Sequence, residues 1–102
     1  MYILNVTVHL DETFRQNGVI WLQECFIPQM MKTDKFIEMI MTRVMVPEQN
    51  GGSTYSIQFK TKNKAQLKAY YLENDAQIFR AFRTFGNQMV FFRTEMEVIQ
   101  QQ

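Results

Sequence analysis

Residues 36–61 read FIEMIMTRVMVPEQNGGSTYSIQFKT, two strand-like stretches with a turn between them. The second stretch, Ser53 to Thr61, alternates apolar and polar residues, which predicts a half-buried strand. The first, about Phe36 to Val46, is apolar on both faces apart from three positions, so we expect its second face to be covered as well. Pro47-Glu48-Gln49-Asn50-Gly51-Gly52 predicts a hairpin loop whose glycines take a positive φ.

On the amino-terminal side of this hairpin, an alternating stretch is followed by a helical one. From Tyr2 to Leu10 every even residue is apolar, which predicts a half-buried first strand. Asp11 then offers an N-cap for a helix over about Glu12 to Met31. Pro28 is expected to break or kink the last turn of this helix.

The carboxyl-terminal side repeats that order. Asn63 is a plausible N-cap for a second helix that ends at Gly86. Glu73-Asn74-Asp75 is a point where this helix can be interrupted, because Asn and Asp side chains compete for backbone hydrogen bonds. A last strand is predicted from about Gln88 to Ile99, before a short tail of glutamines.

The resulting order, strand-helix-strand-strand-helix-strand, predicts an α+β fold of the ferredoxin-like βαββαβ type. In this plait a four-stranded antiparallel sheet has the strand order 4-1-3-2, and two helices cover one face. A chain of 102 residues is expected to form a single domain, residues 1–102. The sheet face away from the helices would carry, in its central strands, Asn5, Thr7, His9, Ser56, Gln58 and Lys60.

Composition narrows the classes of partner. The formal net charge is +1, with no basic patch that would indicate nucleic-acid binding. Hydrophobic residues make up 46% of the chain, with nine Phe and eight Met, which suggests apolar surface that homodimerisation would bury. No apolar run approaches the roughly 20 residues of a membrane span, and the first residues do not resemble a leader sequence. We therefore expect a cytoplasmic homodimer that does not bind membranes.

Metal and cofactor sites are not indicated. Cys25 is the only cysteine and His9 the only histidine, so one subunit lacks the ligands for a cysteine-cluster or histidine-based metal site. A lone Cys on a helix is usually a small buried hydrophobe. Gly-rich phosphate loops are absent, and no cofactor is expected.

The candidate ligand-binding residues lie mainly on the polar sheet face. They are Asn5, Thr7, His9 and Gln58 on that face, Trp21 on the first helix, and Arg93 on the last strand. Each has a structural alternative. The polar strand residues would satisfy one another across a wet dimer interface, and Trp21 would belong to the core or interface. Arg93 would lie on a solvated face or form ion pairs between subunits.

Several segments together resemble a bacterial family of uncharacterised domains. They are MYILNVTV at 1–8, WLQECFIP at 21–28, RVMV at 43–46, GGSTYSIQF at 51–59 and FRTEMEVI at 92–99. The fold of this family is similar to the dimeric α/β-barrel group, in which two plaits pack sheet to sheet around a shared cavity. That group includes cofactor-independent monooxygenases and haem-degrading oxygenases, and the resemblance to the latter points to Asn5, His9 and Trp21.

Two functions follow as hypotheses. The first is a small homodimeric plait without catalytic machinery that binds a small ligand between its subunits. The alternative is a cofactor-independent monooxygenase or isomerase that acts in the dimer cavity. RNA binding through the sheet is disfavoured, because Tyr2, Tyr55 and Phe59 are expected to face the helices rather than stack on bases.

Overall fold

The computed structural model describes residues 1–45 and 51–102. Its antiparallel sheet has the strand order β2-β3-β1-β4, which is the predicted order 4-1-3-2 read from the other edge. The strands are β1 (Tyr2–Leu10), β2 (Glu38–Arg43), β3 (Ser53–Thr61) and β4 (Met89–Glu97), and the α-helices are α1 (Arg15–Trp21), α2 (Ile27–Met31), α3 (Lys64–Tyr70) and α4 (Ala76–Arg83). The predicted ferredoxin-like plait is confirmed.

The first helix, residues 12–31, is one continuous helical run. The carboxylate of Asp11 accepts a hydrogen bond from the backbone N–H of Thr13 at 3.3 Å, so Asp11 is the N-cap as predicted. A π-helical segment, Leu22–Phe26, joins α1 to α2. Of the two effects predicted for Pro28, a break is not observed, because the helix continues to Met31. A proline removes one backbone N–H and crowds the carbonyl four residues earlier, and the wider π turns directly before it accommodate both effects.

The second helix, residues 64–83, has a similar construction. Asn63 Oδ1 accepts a hydrogen bond from the backbone N–H of Gln66 at 2.9 Å, which confirms the predicted N-cap. The predicted interruption is present as a π-helical segment, Tyr71–Asp75, and the helix does not break there. Its α-helical part ends at Arg83, three residues before Gly86, whose φ is +57°.

The strand register determines which side chains face the helices. In antiparallel strands, residues directly opposite each other lie on the same face of the sheet. The even residues of β1 from Leu4 to Leu10 are fully buried against the helices, together with Ile57 and Phe59 of β3. Asn5, Thr7 and His9 consequently lie on the opposite face.

Aromatic rings fill the space between helices and sheet. Phe26 lies at the centre, with its ring centroid 5.6 Å from that of Phe59, 5.6 Å from Phe79 and 4.7 Å from Phe82. These edge-on contacts join the first helix, the second helix and β3 into one core.

Some predicted boundaries need correction. β2 is shorter than predicted, although the backbone N–H of Ile37 still donates to Lys60 O and that of Val44 to Thr54 O, both at 2.8 Å. Residues 46–50, with most of the predicted hairpin loop, lie outside the described residues. Cys25 is exposed rather than buried, because the residues of the π segment that face the core are Leu22 and Phe26. Within the described ranges, no helix has both the length and the apolarity to cross a bilayer.

Candidate functional site

The helices leave the other face of the sheet open, and we call it the open face. It receives side chains from all four strands. In strand order they are Glu38, Ile40 and Thr42; Thr54, Ser56, Gln58 and Lys60; Ile3, Asn5, Thr7 and His9; and Val90, Phe92, Thr94 and Met96.

Polar side chains of the two central strands form a hydrogen-bonded row on the open face. Ser56 Oγ donates to Asn5 Oδ1 at 2.6 Å, and Asn5 Nδ2 donates to Thr7 Oγ1 at 3.0 Å. His9 Nδ1 lies 3.0 Å from Thr54 Oγ1. The structure therefore brings Asn5, Thr7 and His9 onto one face, as expected, and these polar groups largely satisfy one another.

Exposed apolar side chains lie on both sides of this polar row. Val90 and Phe92 of β4 are 53% and 61% exposed, and Ile40 of β2 is 56% exposed. The expectation that the second face of β2 is covered is therefore wrong for a single chain. Large exposed apolar side chains on one face, here on its two edge strands, are a usual mark of an interaction surface.

Trp21 and Arg93 do not lie on the open face. Trp21 packs on the helix side, with its ring centroid 5.2 Å from Phe82 and 4.9 Å from Phe85. Arg93 is opposite the buried residue Val6, which places it on the helix side as well. The candidate residues thus divide into Asn5, Thr7, His9 and Gln58 on one face and these two on the other.

Arg93 belongs to a polar cluster between β4 and the second helix. Its guanidinium pairs with the Asp75 carboxylate and lies 4.4 Å from the ring centroid of Phe79. In the same cluster the Tyr71 hydroxyl donates to Glu95 Oε2 at 2.6 Å. Burial raises the pKa of Tyr71, and its hydrogen bond to Glu95 raises this pKa further. The Tyr71 hydroxyl thus remains a hydrogen-bond donor to Glu95, and the cluster attaches the helix to the sheet.

A groove at one end of the open face is a feature that the sequence did not reveal. It has a volume of about 520 Å³, and its walls include Ile3, Ile40, Gln58, Lys60 and Val98. The chain after β4 folds back over this end of the sheet. The backbone N–H of Val98 donates to Met1 O at 2.9 Å, and Gln101 Oε1 accepts from Lys60 Nζ at 2.8 Å.

Two charged residues, Lys60 and Glu38, line this groove. The side chain of Lys60 is only 13% exposed, and its Nζ lies 3.1 Å from Glu38 Oε2. Glu38 is itself 66% exposed, so the carboxylate lies at the mouth of the groove and the ammonium lies deeper. Gln58 and Gln101 add amide groups that can donate or accept hydrogen bonds.

The described residues contain no candidate metal site. Nowhere in ranges 1–45 and 51–102 do three histidine, cysteine or carboxylate side chains form a group suited to a metal ion. The chemistry available on the open face is therefore hydrogen bonding, apolar contact and one ion pair, between the partly buried Lys60 and the exposed Glu38.

Three solved structures share this fold. A dimeric ferredoxin-like protein from an uncultured marine organism is 14% identical with a TM-score of 0.71, and the match covers 98% of this chain and 96% of that one. HapK from Hahella chejuensis is 10% identical with a TM-score of 0.70, covering 100% and 96%. The de novo designed protein Foldit4 is 9% identical with a TM-score of 0.66, covering 95% and 97%.

Similarity of sequence is found at the level of a family. A search of curated proteins found no match to this chain. A family model does match, over residues 1–99, which is nearly the whole chain. Its description carries no activity. The protein belongs to the family described as domain of unknown function DUF4286.

Proposed function

We propose that this protein works as a homodimer whose subunits pack together through their open faces and hold a small molecule between them. The observation that carries the proposal is the group of large apolar side chains on that face. Ile40, Val90 and Phe92 are each more than half exposed, and all three point away from the helices.

Burial of these side chains supplies a driving force for pairing. Complete burial of a side chain such as Phe or Ile is worth about 1.5–3 kcal/mol, and a residue that is already partly covered gains a fraction of this. In a two-fold symmetric dimer every such contact occurs twice. Three residues per subunit therefore contribute several kcal/mol, against which the loss of translational and rotational freedom must be set.

The polar row does not oppose this association strongly. Burying a polar group is costly when it loses its hydrogen bonds to water and finds no partner. Asn5 and Ser56 already bond to each other, and His9 is paired with Thr54. These groups carry their partners with them into an interface, so a central polar row is compatible with pairing of the two faces.

The solved structures add an independent argument. The ferredoxin-like protein from an uncultured marine organism is described as dimeric, and it matches this chain over 98% of its length. At 14% identity it shares the fold alone. It nevertheless illustrates that a plait of these proportions can exist as a dimer.

The alternative function, a cofactor-independent monooxygenase or isomerase, is less well supported. The residues that we would assign to it are Asn5, His9 and Trp21. Asn5 and His9 lie on the open face, whereas Trp21 packs among Phe82 and Phe85 on the other side of the sheet. Three residues on two sides of a sheet do not form one active site within a subunit, so binding is favoured over catalysis.

The dimer is tested with the variant Phe92→Lys, measured by sedimentation equilibrium over a range of protein concentrations. Phe92 lies on the open face, on the edge strand β4, and a charge there would be buried without a partner in the dimer. We therefore expect the variant to sediment as a monomer and the wild type as a dimer. Leu72→Lys is the matched control. Leu72 is 78% exposed but lies on the second helix, away from the open face, so this variant should remain dimeric.

Two results would contradict the proposal. A wild-type protein that stays monomeric at high micromolar concentration excludes a dimer of useful affinity. If Phe92→Lys remains dimeric, the interface does not lie on the open face and must be at a sheet edge or on the helices.

A further inference from the structure

We propose that the groove beneath the carboxyl-terminal tail binds a small molecule with an apolar body and one anionic group, a carboxylate or a sulfonate, and that Lys60 holds the anion. This inference names the class of the small molecule and in that respect rests on the proposed function. The groove itself is formed by a single chain, so binding in it can be measured separately from dimerisation.

The geometry around Lys60 leaves room for an anion. An ammonium group has three N–H donors. Gln101 Oε1 at 2.8 Å and Glu38 Oε2 at 3.1 Å account for two of them among the described residues. The third donor is available to a ligand. Since the side chain is 13% exposed, little water competes for this hydrogen bond, which strengthens a charge-assisted contact.

The remaining walls suit an apolar body. Ile3, Ile40 and Val98 come from β1, β2 and the chain after β4, and they face a space of about 520 Å³. Ligand pockets of this type usually measure about 300–1,000 Å³ and combine apolar walls with a few polar groups. Besides the ammonium, the polar groups that line the groove are the amides of Gln58, Gln100 and Gln101 and the carboxylate of Glu38.

Glu38 limits how tightly the groove binds an anion. In the free protein the Glu38 carboxylate balances part of the charge of Lys60. Because Glu38 is 66% exposed, it can turn into solvent when an anionic ligand arrives. The Glu38 carboxylate and the anionic group of the ligand then compete for the ammonium of Lys60. Removal of the Glu38 charge should therefore tighten binding of an anion.

The test uses two fluorescent probes with the same aromatic rings. 8-Anilinonaphthalene-1-sulfonate carries a sulfonate, and N-phenyl-1-naphthylamine is its uncharged counterpart. Each probe is titrated against wild type, Lys60→Met and Glu38→Gln, with Lys68→Met as control. Lys68 is an exposed lysine on α3, on the other side of the sheet.

We expect Lys60→Met to weaken binding of the sulfonate probe about tenfold or more, the usual effect of losing a hydrogen bond to a charged group. The uncharged probe should change less than about twofold, because Met keeps the apolar stem of the lysine side chain. Glu38→Gln should bind the sulfonate probe more tightly than wild type does. Lys68→Met should match wild type with both probes.

Several outcomes would overturn the inference. These are a wild type that does not bind the sulfonate probe, a Lys60→Met variant that binds it unchanged, and a loss of equal size for both probes. If Lys60→Met fails to fold, Glu38→Gln still decides, because unchanged binding of the sulfonate probe would contradict the competition.

The same titrations with Phe92→Lys separate this inference from the dimer. Phe92 does not line the groove, so its monomeric variant should bind the sulfonate probe with the same dependence on Lys60. Lys60-dependent binding in a protein that never dimerises would refute the dimer and keep the groove. A wild-type protein that dimerises but shows no such binding would refute the groove and keep the dimer.

Discussion

The adjacent glycines Gly51 and Gly52 meet two different physical requirements. Gly51 has a φ of +76°, a left-handed conformation that side chains rarely adopt. Gly52 is required for space. A Cβ at this position would overlap His9 Nε2 and would lie 2.6 Å from the carbonyl oxygen of Leu10. Close packing of the loop end against β1 therefore depends on the absence of a side chain at residue 52.

We expect Gly52→Ala to lower the free energy of unfolding by about 1–3 kcal/mol, the usual cost of overpacking. Urea denaturation followed by circular dichroism measures this change. The same substitution in a His9→Ala background should recover only part of the loss, because the Leu10 carbonyl belongs to the backbone and cannot move away. Wild-type stability in Gly52→Ala would refute the close approach.

Gly51 and Gly52 differ in how far the sequence alone predicts their roles. The prediction of a positive φ is confirmed at Gly51, because turn chemistry is local, and is wrong at Gly52, whose φ is not positive. The reason for Gly52 is a contact with β1, some forty residues earlier in the chain, and no local pattern reports it. The row of Asn5, Thr7 and His9 was predictable for the opposite reason, since alternation alone places them on one face.

At the scale of elements, the second helix is attached to β4 through its π segment. Asp75, the last residue of that segment, pairs with Arg93, and both side chains are partly buried. The neighbouring Tyr71 donates to Glu95. The irregular turn thus places two side chains of one helix over the same strand.

A double-mutant cycle with Asp75→Asn and Arg93→Gln should give a coupling free energy of about 1 kcal/mol, measured by urea denaturation at low salt. Arg93→Gln also removes the contact of Arg93 with Phe79. This loss cancels in the cycle, because it occurs both in the wild-type background and in the Asp75→Asn background. Lys35 and Glu73 form the control pair. Their charged atoms are 3.7 Å apart and Glu73 is largely exposed, so we expect a coupling near zero. Equal coupling in the two pairs would show that burial does not strengthen the Asp75 contact.

The elements themselves were largely predictable from the sequence, with β1 and β3 matching their predicted bounds. The face of β4 was harder to predict. Phe91 and Phe92 are adjacent aromatic residues, so the alternation that indicates a buried face is lost there. The register with β1 places Phe91 over the core and Phe92 on the open face. The sequence alone does not show this register. It therefore could not show that Arg93 lies on the helix side, and Arg93 remained among the candidate site residues.

For the whole molecule, dimerisation would couple stability to concentration. If only folded chains pair, the midpoint temperature of unfolding should rise with protein concentration. With an unfolding enthalpy of about 0.7 kcal/mol per residue in both subunits, the rise is roughly 3 °C per tenfold in concentration. Differential scanning calorimetry over a hundredfold range measures it. Phe92→Lys should show no such dependence, and a wild type without it would contradict a folding-coupled dimer.

The architecture could be predicted from the sequence, whereas the groove could not. The order of periodic segments is specific to the plait, and the strand order follows from it. The groove depends on the path of residues 98–102, where glutamines give no periodic signal and Lys60 provides the contact for Gln101. Side-chain contacts between residues far apart in the chain, such as this one, cannot be predicted from a local sequence pattern.

The exposure of Cys25 has a practical consequence. The only thiol of the chain lies on the outer surface of the first helix, and the helices and the sheet separate it from the open face. A maleimide dye attached there would mark each molecule once without touching the strands. Energy transfer between donor-labelled and acceptor-labelled copies would then report their encounter in real time, with the native sequence unchanged.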